Sequence, residues 1–277
     1  MYLIQIYQKD QHLKGWIRVK TKIFVVTHKN VKMPQDPTYA PIVVGKNKDE
    51  FPKEYYRDDQ NDNISNKNES YCELTAMYWI WKNVDEYDNI GICHYRRYLM
   101  KNVSNNIGDI LTKEEIEENL KKYDIILPQR RYFLRKNVEE QYYSQDNAFE
   151  KDYKILREVI KEIAPDYFET FQKVSAGHST YLYNIIITKK ETYRRYCEWL
   201  FEILNEVEKR IDITNYTQQQ KRIFGFMAER LMTVYVEKNN LKVKEFKVVN
   251  IEKTKLNEEK VITKNNLKKL VNKFRRK

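Results

Sequence analysis

Residues Ile90-Gly-Ile-Cys93 are an apolar run without polar alternation, followed at once by His94, Tyr95, Arg96 and Arg97. A strand that does not alternate has both faces covered, as inside a sheet sandwiched between helices. Ligands of open α/β sheets gather at the carboxyl ends of strands, so this cationic and aromatic group is predicted at a binding edge. Upstream, Leu74, Met77, Tyr78 and Trp81 recur at helical spacing, and Ser70 followed by Glu73 reads as a capping box opening that helix.

The same alternation runs along the chain. Strand-like runs are predicted at 22–27, 41–45, 90–93, 123–127, 180–188 and 243–251. Helical patterns cover 112–122, with Thr112 as cap and Glu115 at N3, and then 149–163, 165–173, 190–209 and 217–238. Pro34, Pro37 and Pro41 exclude a helix between the first two strands, and the polar stretch 46–68 reads as a long loop. Strands alternating with helices predict an α/β fold, a single domain with a mostly parallel central sheet flanked by helices. That domain spans 20–251. Residues 1–19 form an N-terminal extension, of which 1–18 show no clear period and would be removed by a translation start at Val19; no function is assigned to it. Residues 252–277 form a basic amphipathic helical tail in which Leu267, Leu270, Val271 and Phe274 make one apolar stripe.

Charge and composition remove several function classes. Of the net charge of +11, the segment Lys253–Lys277, with ten cations and two anions, accounts for +8. The body is therefore nearly balanced. A pI of 9.2 and 22 tyrosines suggest, as the rival reading, a non-catalytic nucleic-acid-binding protein. Its cations would have to lie along a face interleaved with aromatics, and here they sit in one tail, so no nucleic acid partner is expected. No apolar run approaches the ~20 residues of a membrane span. The N-terminus has no secretion-signal pattern, and Cys72, Cys93 and Cys197 read as buried thiols of a reducing compartment. None of the six glycines lies in a phosphate-cradling pattern, there is no Gly-x-Ser-x-Gly, and the four histidines are scattered. Kinase, dehydrogenase, serine hydrolase and metal-cluster readings fall away together.

Several motifs are more specific. Lys22-Ile-Phe-Val-Val-Thr-His-Lys29, Asn63-Ile-Ser-Asn-Lys-Asn68, Tyr71-Cys-Glu-Leu-Thr75, Tyr78-Trp-Ile-Trp-Lys-Asn83, Gly91-Ile-Cys-His-Tyr-Arg-Arg-Tyr98 and Lys221-Arg-Ile-Phe-Gly-Phe-Met-Ala-Glu-Arg-Leu231 together resemble the bacterial capsular and exopolysaccharide glycosyltransferases designated domain of unknown function 4422. The resemblance covers about residues 20–250. It implies a GT-A-like fold and a sugar-nucleotide-dependent transferase acting in the cytoplasm on a lipid-linked oligosaccharide. A UDP-hexose, with galactose foremost, is the expected donor.

A sugar nucleotide requires its diphosphate to be neutralised, often by a metal on an Asp-x-Asp loop. This chain has no Asp-x-Asp. Arg96 or Arg97 is expected to take the diphosphate directly, with no metal ligand and no cofactor required; surface ion pairing is the competing role. Were Mg or Mn used, Glu86/Asp88 or Glu150/Asp152 would be the fallback ligands. His94 belongs to the same donor-binding group. His28 suits either the nucleotide or a hydrogen-bonded core position, and Asn63, Ser65 and Asn68 suit either ribose and uracil or turns and caps. Glu229 is a candidate general base, with an ion pair to Arg230 or Arg222 as the alternative. The resemblance points also to Asp152 as catalytic, although the family's upstream His is replaced here by Asn147, Ala148 and Phe149. Gly177, His178 and Tyr183-Asn184 lie where sugar recognition is expected, and Asn184 in an apolar run demands a partner. The tail is expected to seat the protein on the inner face of the cytoplasmic membrane, against the alternative of a solvated, frayed end.

Overall fold

The computed structural model describes residues 19–46, 48–144 and 148–275; the expectation for the N-terminal extension 1–18 lies outside them, as does Asn147. At the centre, β1 (Thr21–Thr27) and β4 (Asn89–His94) run parallel, with Ile23 opposite Gly91 and Val25 opposite Cys93. Both strands are almost wholly buried, as their unbroken apolar runs require. Gly91 is a packing necessity. A Cβ there would lie 2.5 Å from Cδ1 of Ile23 and 2.8 Å from Cγ1 of Ile187, so only glycine lets the two neighbouring strands close over it.

On the far side of β1, β2 (Tyr39–Val43) is also parallel and carries the short β3 (Tyr56–Arg57). Pro41 sits within β2, and β3 pairs only with Ile42 and Val43, beyond the missing N–H. On the other side of β4 come β9 (Ile186–Lys189), β6 (Ile125–Pro128), β10 (Val243–Asn250) and β5 (Arg97–Met100), with β5 folding back onto β4 through His94 opposite Arg97. A two-stranded ribbon of β7 (Arg131–Tyr132) and β8 (Ser179–Thr180) stands apart.

The sheet is mixed, not mostly parallel. β1–β2, β2–β3, β1–β4 and β6–β10 are parallel, whereas β9 runs antiparallel to both β4 and β6, and β5 to β10 and β4. The physical reason lies in the connections: β5 returns from β4 after a two-residue turn, which permits only antiparallel pairing.

Helices cover both faces. α1 (Asn68–Tyr71), α2 (Leu74–Asn83), α4 (Val138–Tyr142), α5 (Glu150–Ile163), α6 (Pro165–Ala176), α7 (Lys190–Glu208) and α8 (Ile223–Lys238) build the larger core against Phe24, Ile92 and Leu127. α3 (Lys113–Leu120) packs Ile116 and Leu120 with Ile23, Cys93 and Phe246 on the opposite face. Its capping box of Thr112 and Glu115 is formed as expected. The one expected at Ser70 is not. Ser70 lies inside α1 with its hydroxyl donating to the Lys67 carbonyl, and Cys72, at φ 53°, breaks the chain before α2. The predicted loop 46–68 is pinned from within by Asp58, fully buried, 2.5 Å from both Nζ of Lys48 and the donating hydroxyl of Thr75.

The tail forms α9 (Lys255–Arg275), which docks by its polar side. Glu258 accepts from the N–H of Asn250, Asn265 bridges Arg130 O and Tyr132 N, and Asn272 donates to the Phe133 carbonyl. The stripe points outward: Leu267 is 59% exposed and Phe274 is 74% exposed. Among the described residues, no helix is long and apolar enough to cross a membrane.

Candidate active site

A cavity of about 860 Å³ opens at the carboxyl ends of β1, β2 and β4, walled by the α1–α2 junction and the start of α8. His28, Asn68, His94, Arg96, Arg97 and Glu229, all singled out from sequence, line it. Tyr95, expected at this strand end, and Tyr183, expected in sugar recognition, line it as well; Cys72, Glu73, Arg222 and Phe226 line it too, and sequence reasoning had not assigned them to the site. Arg222 and Phe226 lie in the 221–231 motif, so a signal was present; Glu73 was hidden behind its apparent capping role.

His28 follows β1 directly, where the Thr27 hydroxyl accepts from Lys29 N and turns the chain outward. Its ring meets Tyr95 edge-on at 5.3 Å. Burial, then the charges of Lys29, Arg96 and Arg222, hold its pKa below the ordinary value, so it is neutral at pH 7. Gly45, just beyond β2, has φ +79°, and a Cβ there would meet Oδ1 of Asn68 at 3.2 Å. The glycine lets α1 approach the ends of β1 and β2. Asn68 itself donates to Cys72 O and Thr75 Oγ1, tying the α1–α2 break together.

Opposite stands a strained turn. Tyr183 and Asn184 have φ +82° and +49°, so the predicted strand 180–188 is interrupted between β8 and β9. Side chains from three other elements account for the break. Glu229 Oε1 accepts from Tyr183 N at 2.7 Å, His94 Nε2 lies 2.6 Å from Tyr183 O, and Asn184 Nδ2 donates to Glu73 Oε1 at 2.7 Å and to Gly225 O at 3.1 Å. Facing a carbonyl, Nε2 of His94 must carry the proton; burial lowers its pKa, leaving a neutral ring with Nδ1 as acceptor. Such left-handed non-glycine residues cost of order 1–3 kcal/mol each and cluster where a site needs them.

The cations have distinct seats. Arg97 lies over the Tyr183 ring at 5.2 Å, and Arg96 lies over Tyr95 while reaching Glu252 at 3.5 Å. Arg222 donates through Nε to Cys72 Sγ at 3.2 Å and rests on Phe226. Burial, then the neighbouring Glu73, pushes the Cys72 thiol up to about 11 despite Arg222, so it stays protonated. Glu229 Oε2 accepts from Arg230 at 2.7 Å; burial raises its pKa, with Arg230 opposing. The partner of Glu229 is thus Arg230 and not Arg222.

The family model for domain of unknown function DUF4422 matches residues 22–240. The chain belongs to the DUF4422 family. No curated protein sequence matches it. Among solved structures, the DUF4422 domain is similar to the apo structure of the bifunctional glycosyltransferase WbbM, at 30% identity and a TM-score of 0.77. The match covers 84% of this chain and 46% of that one, so the chain spans about half of WbbM.

Other expected site residues of the DUF4422 domain lie away from the cavity lining. Asp152 is 0% exposed under Tyr216, whose hydroxyl donates to Oδ1 at 2.8 Å, while Oδ2 has no partner among the described residues. Its position inside α5 gives it no access to the cavity. Asn63 accepts from Ser65 N and Oγ, an Asx turn that occupies both side chains. Gly177 ends α6 and accepts from Val138 N, and His178 Nδ1 lies 3.0 Å from Lys136 O beside the β7–β8 ribbon. Asn184 has the partners its burial demands, with its Oδ1 unmatched among the described residues. Among the described residues, no group of three or more His, Cys, Asp or Glu side chains is placed to hold a metal ion.

Proposed function

We propose that this DUF4422 domain transfers a hexosyl group, galactose foremost, from a UDP-sugar to a lipid-linked oligosaccharide of capsule or exopolysaccharide assembly, at the inner face of the cytoplasmic membrane. The observation that carries the reading is the convergence of Arg96, Arg97, Arg222 and His28 on one 860 Å³ cavity at the strand ends, in a chain 30% identical over 84% of its length to a glycosyltransferase. Breaking the sugar–phosphate bond builds negative charge on the departing diphosphate. Guanidinium forks match that charge in shape and sign, and they stabilise it most where water is scarce. They supply here what a divalent ion supplies elsewhere, so no metal is required. Glu229 removes the proton of the acceptor hydroxyl: burial makes it more basic than a surface carboxylate, and each oxygen keeps a lone pair beyond its present hydrogen bond. The outward apolar stripe of α9 supports membrane seating, with the tail's cations adding about 1 kcal/mol each near anionic lipid.

Titration with a panel of sugar nucleotides, read by thermal shift and calorimetry, tests the reading. A UDP-hexose should stabilise the protein in EDTA as well as in Mg or Mn. Indifference to every nucleotide sugar would overturn the function, and binding abolished by EDTA and restored only by metal would overturn the metal-free mechanism.

A further inference from the structure

Arg230 follows Glu229 on α8 yet does not line the cavity. Successive helical residues do not ordinarily face one another. Here the guanidinium turns back: Nη1 donates to Glu229 Oε2 at 2.7 Å and to the Phe226 carbonyl at 3.0 Å, while Nη2 donates to Oε1 of Gln141, brought in by α4. It lies over the Tyr142 ring at 5.4 Å. Arg230 is 4% exposed, and among the described residues Glu229 is the one carboxylate within ion-pair distance of it.

We propose that Arg230 is a positioning residue for the transfer: seated by Gln141, it fixes the Glu229 carboxylate facing the cavity. An arginine stays charged at any working pH, so a buried one demands a carboxylate. The base has the converse need. A buried carboxylate without a cation neutralises by taking up a proton, and a protonated Glu229 cannot accept one from a hydroxyl. With Oε2 on Arg230 and Oε1 on the Tyr183 N–H, the carboxylate is anchored from two elements, which fixes its orientation. Of the other charges facing Glu229, Arg222 from the turn before α8 also favours the ionised form, and Glu73 from the α1–α2 junction opposes it; Cys72 and His94 beside Glu73 are neutral. Arg222 donates to Cys72 Sγ, so the direct contact with Glu229 is Arg230's. The inference rests on Glu229 as base and adds the group that holds it.

Steady-state kinetics across pH on the full chain, with the Tyr183 amide followed by NMR, test it, because that N–H reports the titration of its acceptor. Arg230→Met should lower kcat roughly tenfold or more, leave the donor KM unchanged, and move both the acid limb of kcat and the Tyr183 titration to higher pH. Arg230→Lys restores the charge without the fork, so both titrations should return toward wild type while kcat recovers only in part. Folded Arg230→Met with an unmoved Tyr183 titration overturns the assignment, and so does an unchanged kcat where Glu229→Gln has lost turnover. If Arg230→Met does not fold, Gln141→Leu provides the check: it should lower kcat severalfold at unchanged donor KM, and an unchanged kcat overturns the assignment there too. If Glu229→Gln keeps full turnover, the base reading falls, and a Tyr183 titration still moved by Arg230→Met leaves the anchoring of Glu229 standing.

Discussion

The backbone N–H of Tyr183 donates to Oε1 of Glu229 at 2.7 Å, and with it a carboxylate of α8 holds a left-handed residue at the wall of the cavity. Glutamine keeps an oxygen for that N–H and loses the charge. Glu229→Gln is therefore expected to retain donor binding while turnover falls by roughly 10²–10⁴-fold, the range a general base contributes. The base acts ionised and burial raises its pKa, so wild-type turnover should decline as pH falls through a value above the ordinary 4.5. Steady-state kinetics across pH check both; soluble variant with unchanged turnover leaves Glu229 a positioning residue for the Tyr183 turn.

Gly45 carries φ +79° with Asn68 Oδ1 3.2 Å from where a Cβ would stand. Gly45→Ala should cost about 1–2 kcal/mol from the left-handed backbone alone, and displacement of Asn68 should weaken UDP-sugar binding. Denaturant unfolding and calorimetry measure the two effects.

Arg97 lines the cavity and packs over the Tyr183 ring. Losing a hydrogen bond between charged groups costs about 1.5–3 kcal/mol, so Arg97→Gln should weaken UDP-sugar binding roughly 10- to 100-fold. The loss should be the same with and without EDTA. A metal-dependent difference would place the diphosphate on an ion instead.

The stripe on α9 makes a prediction about surfaces. Leu267 and Leu270 are 59% and 54% exposed, so Leu267→Glu/Leu270→Glu should leave the melting temperature unchanged while reducing sedimentation with anionic phosphatidylglycerol vesicles. Wild-type binding should weaken as salt rises, because the cationic share is screened. Equal sedimentation of variant and wild type would remove the membrane role of the helix.

Asp152 is buried with one oxygen unpartnered among the described residues, and burial raises its pKa. Its contribution to stability is present below the ordinary 3.8 and is lost as pH rises through the raised value. Asp152→Asn should accordingly raise the melting temperature at pH 7.5 and leave it no higher near pH 3.5, with turnover unchanged. Loss of turnover with intact donor binding would restore the catalytic role that the resemblance suggested.

Much of this was legible in advance because its cause is local. The apolar run 90–93, the helical stripes of α5 to α8 and the capping box at Thr112 depend on neighbours within a turn or two, and the group at the end of β4 follows from where strands end. What misled was equally local. Ser70 and Glu73 have capping-box spacing, but α1 has already begun at Asn68 and Asn184 occupies Glu73.

By itself the sequence determined the order of the longer elements, the buried central strands and the edge at which His28, His94 and Arg97 meet, since hydrophobic period and strand polarity are properties of contiguous residues, while short strands such as Tyr56–Arg57 and Arg97–Met100 carry too few residues to show a period. Only the tertiary structure decided that 180–188 is broken, that β9 enters the sheet antiparallel, and that α9 docks by its asparagines. The turn at Tyr183 is held by partners 46, 89 and 111 residues away, and contacts at such separations leave no period in the chain for a reader to find.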